Sequence, residues 1–116
     1  MKENLLITLS KAFAVDIIKL CNNINCGNSI LLNQLLRSST SVGANIHEAN
    51  YASSKSDFIN KFQIALKECY ESEYWLEIFK ESNILTDLQY SEMHEKCCKI
   101  RKLLTASINT AKGNNH

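Results

Sequence analysis

The sequence predicts an all-α fold, an antiparallel up-down-up-down four-helix bundle. Three observations predict it. The 116-residue chain has no proline and only three glycines, so helix breakers are nearly absent. Apolar residues recur at steps of three and four through four long segments. Strand formers do not gather in alternating runs. Long segments joined by short loops must run antiparallel to their neighbours, and one domain over residues 1–116 accommodates them.

The first segment covers about residues 3–25. Leu6, Leu9, Phe13, Ile17, Leu20 and Ile24 share one helical face. The stretch NCGNS then interrupts it, with Gly27 suited to a left-handed cap and Asn28 to the next helix start. The second segment, about 29–52, carries Leu32, Leu35, Ser39, Val42, Ile46 and Ala49 on its inner stripe. The third begins at a cap supplied by Ser54 with Asp57, or by Ser56, and runs to about 82. Its stripe is Phe58, Phe62, Ala65, Cys69, Ser72, Leu76 and Phe79. Thr86 and Gln89 fit a capping box for the fourth, which runs to about 112 on Tyr90, Met93, Cys97, Ile100, Leu104 and Ala111.

Composition narrows the function classes. A formal net charge of +1 exerts no general pull on nucleic acid or membrane. No run is apolar and long enough to span a bilayer. The N-terminal segment is interrupted by Lys11, Asp16 and Lys19 and does not read as a signal peptide. The five cysteines, Cys21, Cys26, Cys69, Cys97 and Cys98, form no CxxC pair. Reduced thiols and a cytoplasmic location follow.

The second segment holds an unusual density of small residues: Ser38, Ser39, Thr40, Ser41, Gly43 and Ala44. Gly43 in mid-helix costs about 1 kcal/mol relative to alanine. Close approach of another backbone is the expected compensation. On the third segment, Leu66, Tyr70, Tyr74 and Ile78 flank the core stripe on one side and Trp75 on the other. They either line the edges of a small bundle or form a subunit interface.

These segments also carry a resemblance. Arg37 followed by small residues, the Gly43–Ile46 step, Glu48, the Ser54–Phe58 turn and the Glu71–Leu76 stretch together resemble a family of bacterial four-helix-bundle proteins. That family was first noticed as reading frames in intervening sequences of large-subunit ribosomal RNA genes. It includes the accessory variability determinant of diversity-generating retroelements. The resemblance covers residues 34–80 best. It implies a barrel-like homopentamer without enzymatic activity. It also implies, through the retroelement members, binding of nucleic acid and of a reverse transcriptase by basic surfaces. Two departures stand out: Ala49 where the family often has glycine, and a nearly neutral charge where the retroelement members are strongly basic.

Candidate sites follow from charge and polarity. Lys96, Lys99, Arg101, Lys102 and Lys112 form a run without an acid between residues 96 and 112, against the acidic third segment with Glu68, Glu71, Glu73, Glu77 and Glu81. They read either as two solvated faces or as a basic stripe, which repetition around an axis would turn into a phosphate-binding ring. Arg37, Ser41, Gly43, Asn45, Glu48, Tyr70, Tyr74 and Trp75 are the interface candidates. Catalysis needs a nucleophile beside an oriented base, and the hydroxyls at 38–41 and His47 have no such spacing. No Glu-x-x-His motif of a di-iron bundle is present. His94 and Cys97 lie three apart with Glu95 and Cys98 nearby, but Cys97 falls on the core stripe, so neither metal nor other cofactor is expected. The expectation is a non-catalytic homo-oligomer that binds RNA or DNA. The alternatives are a reverse-transcriptase accessory subunit and a protein scaffold without nucleic acid.

Overall fold

The structure, a computed structural model, describes residues 2–24 and 27–113. Its helices are α1 (Lys2–Asn22), α2 (Ser29–Ala49), α3 (Lys55–Glu81) and α4 (Asp87–Lys112). α1 packs on α2 and α4, and α3 packs on the same two. This closed ring of neighbours is the expected all-α four-helix bundle.

The helix starts lie where side chains can cap them. Asn28 Oδ1 accepts from Leu31 N–H at 3.2 Å at the head of α2. Ser54, not Ser56, caps α3, its Oγ accepting from Asp57 N–H at 3.0 Å. The Asp57 carboxylate reaches back one residue further than a capping box requires, to Ser53 N–H at 3.1 Å. The box at α4 is complete: Gln89 N–H donates to Thr86 Oγ1 at 3.1 Å, and Thr86 N–H to Gln89 Oε1 at 2.9 Å.

The helix ends differ more from the sequence pattern. α2 stops at Ala49 because the next turn tightens. Asn50, Tyr51 and Ala52 donate to carbonyls three residues back. α1 likewise ends at Asn22, and Gly27, with φ +69°, belongs to the connection rather than to the helix cap. Cys26 lies outside the described residues. α3 ends in a Schellman motif built on Asn83 in the left-handed region (φ 62°). Ile84 N–H reaches Phe79 O at 2.8 Å and Asn83 N–H reaches Lys80 O at 3.1 Å.

The core is formed by the predicted stripes. Leu6, Phe13, Ile17, Leu35, Val42, Ile46, Phe62, Leu76, Phe79, Ile100 and Leu104 are all buried. Each such side chain contributes about 1.5–3 kcal/mol by leaving water. Ser10, Ser38, Ser39 and Ser72 are buried among them. Three of these hydroxyls donate to carbonyls a turn earlier at 3.3 Å: Ser10 to Ile7, Ser38 to Leu35 and Ser39 to Leu36. The fourth, Ser72 on α3, donates to Ser38 Oγ on α2 at 2.9 Å. A Cβ placed on Gly43 would come within 3.4 Å of Ser10 Oγ on α1. The small residues of α2 therefore compensate for their cost inside the subunit, where they let α1 and α3 approach closely.

Candidate functional site

The stripe of α4 sets where its polar residues point. With Met93, Cys97, Ile100 and Leu104 inward, a turn of about 100° per residue divides the remaining positions into two flanks. Tyr90, His94, Cys98 and Arg101 fall on the flank toward α3. Lys96, Lys99 and Lys102 spread over about 120° of the opposite, outer side. Lys112 stands apart, at the end of the bundle beside Ser53–Asp57 of the α3 start.

The five basic candidates thus do not form one stripe. Arg101 is turned inward: Nε donates to Glu73 Oε2 at 2.7 Å and Nη2 to Cys98 Sγ at 3.3 Å. Its guanidinium also lies 5.3 Å from the Tyr70 ring centre. Both hydrogen bonds hold the Arg101 pKa above its ordinary value. Lys96 pairs with Asp16 of α1 at 2.7 Å. Lys99 and Lys102 are exposed and make no ion pair with any described residue. Lys99 forms the crest between two grooves. One runs along α4 past Tyr90, His94 and Cys98, and the other separates α4 from α1 at Leu9, Ala12 and Asp16.

The interface candidates are mostly engaged within the subunit. Arg37 binds Glu68 at 3.2 Å and also Glu71. Glu71 in turn accepts from Trp75 Nε1 at 3.0 Å. Glu48 pairs with Lys61 at 3.2 Å. Asn45 donates to Ser41 O at 2.9 Å on its own helix. Tyr70 and Tyr74 remain open, more than half exposed at 54% and 53%. Tyr74 meets Trp75 edge to face, with ring centres 5.1 Å apart.

One constellation escaped the sequence reading. Glu73 of α3 meets His94 and Cys98 of α4. Its Oε1 lies 3.6 Å from His94 Nε2 and 3.6 Å from Cys98 Sγ. Tyr90 stacks on His94 with ring centres 5.1 Å apart. Burial pushes the Cys98 thiol up, against the opposing hydrogen bond from Arg101. Burial also raises the Tyr90 phenol, with Glu77 adding to it. The i, i+4 spacing of His94 and Cys98 was the available signal. The acid that completes the set comes from another helix.

Comparison with known proteins agrees with this architecture. The family model described as "23S rRNA-intervening sequence protein" matches residues 2–106, and the chain belongs to that family. A crystal structure from Bacteroides thetaiotaomicron, described as a protein with unknown function from the S23 ribosomal protein family, is 42% identical. The match covers 94% of this chain and 99% of that one, with a TM-score of 0.89. No curated protein matches. Among the described residues, no helix is long and apolar enough to cross a membrane.

Proposed function

We propose that this protein is a non-catalytic, homo-oligomeric RNA-binding accessory protein of five subunits. The observation that carries the RNA-binding reading is the pair Lys99 and Lys102. They are solvated, without an acidic partner among the described residues, in a chain of an rRNA-related family. Five copies around an axis would repeat that pair as a ring of positive charge. The pentamer rests on the family resemblance, and the open Tyr70 and Tyr74 rings are the apolar surface available to it. The reverse-transcriptase partner has only the resemblance behind it.

The test is fluorescence anisotropy with a structured RNA at low salt, on the wild type and on a Lys99→Glu/Lys102→Glu double variant. Wild-type binding should weaken steeply with salt, and the double variant should lose about one unit of log–log salt slope for each lysine engaged. Arg101 is left untouched because a glutamate there would face Glu73. Equal affinity in wild type and variant would refute the assignment. Native mass spectrometry of the same samples should show five subunits.

A scaffold without nucleic acid is the second reading. The net charge of +1 favours it, as does the pairing of Lys96 and Arg101 within the subunit. Absence of RNA binding by an intact oligomer would select it.

A further inference from the structure

We propose that Glu73, His94 and Cys98 form a three-ligand site for a zinc-class divalent cation between α3 and α4. The argument is geometric. The three donor groups are mutually close: Glu73 Oε1 lies 3.6 Å from His94 Nε2 and 3.6 Å from Cys98 Sγ, and Cys98 Sγ lies 3.6 Å from His94 Nδ1 and 3.7 Å from Nε2, so the imidazole has to turn to aim one nitrogen at a shared ion. Tetrahedral zinc bonds of their usual lengths place such donors about 3.4–3.6 Å apart. A hydrogen-bonded carboxylate–imidazole pair would instead close to about 2.7–3.2 Å. The Glu73–His94 side is thus wider than a direct hydrogen bond, the two sulfur sides suit a thiol hydrogen bond or a shared ion alike, and all three are close to what a shared ion requires.

The donor chemistry agrees. One thiolate, one imidazole and one carboxylate are ligands that zinc accepts, and three of them leave a fourth position for water. His94 and Cys98 sit one turn apart on a rigid helix. Glu73 is the cross-helix ligand, and the groove past Tyr90, Ser91 and Cys98 gives the fourth position access to solvent.

Arg101 plays the outer role. It binds Glu73 through Oε2, the oxygen not facing His94, at 2.7 Å, and so orients Oε1 toward the site. Its second bond, 3.3 Å to Cys98 Sγ, is of the kind that supports a metal-bound thiolate. Tyr90, stacked on His94, restrains the ring. Cys97, the neighbouring thiol, cannot take part: it is fully buried and bonded to the Cys69 carbonyl at 3.4 Å.

The experiment is a cobalt titration of the reduced, chelator-treated full-length protein, followed by zinc competition. One equivalent per chain should bind. It should show a thiolate-to-cobalt band in the near ultraviolet and visible bands of four-coordinate intensity, both lost when zinc is added. Cys98→Ser should remove the ultraviolet band. His94→Ala and Glu73→Gln should keep it but weaken binding by more than the roughly 10- to 100-fold typical of a lost outer-shell partner. Circular dichroism establishes that each variant is folded. A featureless titration of the wild type overturns the proposal. So does a band that survives Cys98→Ser, because the thiolate would then come from elsewhere in the chain.

Discussion

The two flanks of α3 use the same device with different endings. Toward α2, Glu68 and Glu71 receive Arg37. Toward α4, Glu73 receives Arg101 at 2.7 Å. On the α2 side the indole of Trp75 donates to Glu71 Oε2, the same oxygen that receives Arg37, and beneath it the Ser38–Ser72 bond closes the seam. On the α4 side the remaining carboxylate oxygen faces a thiol and an imidazole at 3.6 Å, beyond hydrogen-bond range of His94. A cross-helix ion pair is therefore not informative by itself. What else the carboxylate meets, a single indole or a thiol with an imidazole, separates a packing contact from a set of donor atoms.

The comparison breaks first at its closed end. Ser72 is fully buried, and its hydroxyl lies 2.9 Å from Ser38 Oγ, so the seam has no room for a larger side chain. Ser72→Leu should destabilise the fold by about 3 kcal/mol, the upper part of the usual overpacking range. Ser72→Ala should cost only about 1 kcal/mol, because Ser38 still donates to Leu35 O. Urea denaturation with an unchanged m-value measures both. Similar costs for the two variants would mean that α2 and α3 approach less closely than the hydroxyl pair indicates.

Neutralising the acids tests the two ion pairs against each other. Glu73 has 15% of its side chain exposed and Arg101 24%, whereas Glu71 and Arg37 have 34% and 50%. Glu73→Gln should cost about 1.5–2 kcal/mol, since a charge-assisted bond is lost at a partly buried site. Glu71→Gln should cost about 0.5 kcal/mol, within the range of solvent-screened pairs. Both are read from denaturation midpoints in metal-free buffer, and equal costs would remove the proposed asymmetry.

The difference between the flanks was only half legible in sequence. The bundle was readable because four stripes of period 3–4 are local patterns. So was the capping box at Thr86, which needs only two residues at fixed spacing. The small residues of α2 signal close approach, but their partners within the subunit, Ser10 and Ser72, lie on other helices and are not legible from local pattern. The basic run of α4 was misleading for a physical reason. Adjacent positions on a helix diverge by about 100°, so Arg101 and Lys102 belong to different environments although they are neighbours in sequence. The Glu73–His94–Cys98 set is not legible in sequence because Glu73 lies on α3, 25 residues before Cys98 of α4, and Cys97 beside Cys98 falls on the core stripe. One residue of register decides which of the two thiols is core and which is ligand.

That register also sets an effect that appears only at alkaline pH. Cys97 is 0% exposed, and its contact with Cys69 together with burial raises its thiol pKa far above the ordinary value. Cys98 is raised too, by burial that Arg101 partly opposes. In the unfolded chain both thiols ionise near pH 8.5. The folded state keeps its proton beyond that point, so the unfolded state binds fewer protons and stability must fall as pH rises. The stability is fully present below about pH 8 and declines from about 8.5 upward, by at most about 1.4 kcal/mol per pH unit for each thiol. Cys97→Ala should flatten this decline by nearly the full contribution of one thiol, whatever the variant loses in absolute stability. Cys98→Ala should flatten it less, because Arg101 favours the thiolate in the folded state. Midpoints measured in metal-free buffer at pH 7.5, 8.5 and 9.5 separate the two. A larger effect from Cys98 than from Cys97 would reverse the assignment of core and surface on α4, and the metal-site geometry would fall with it.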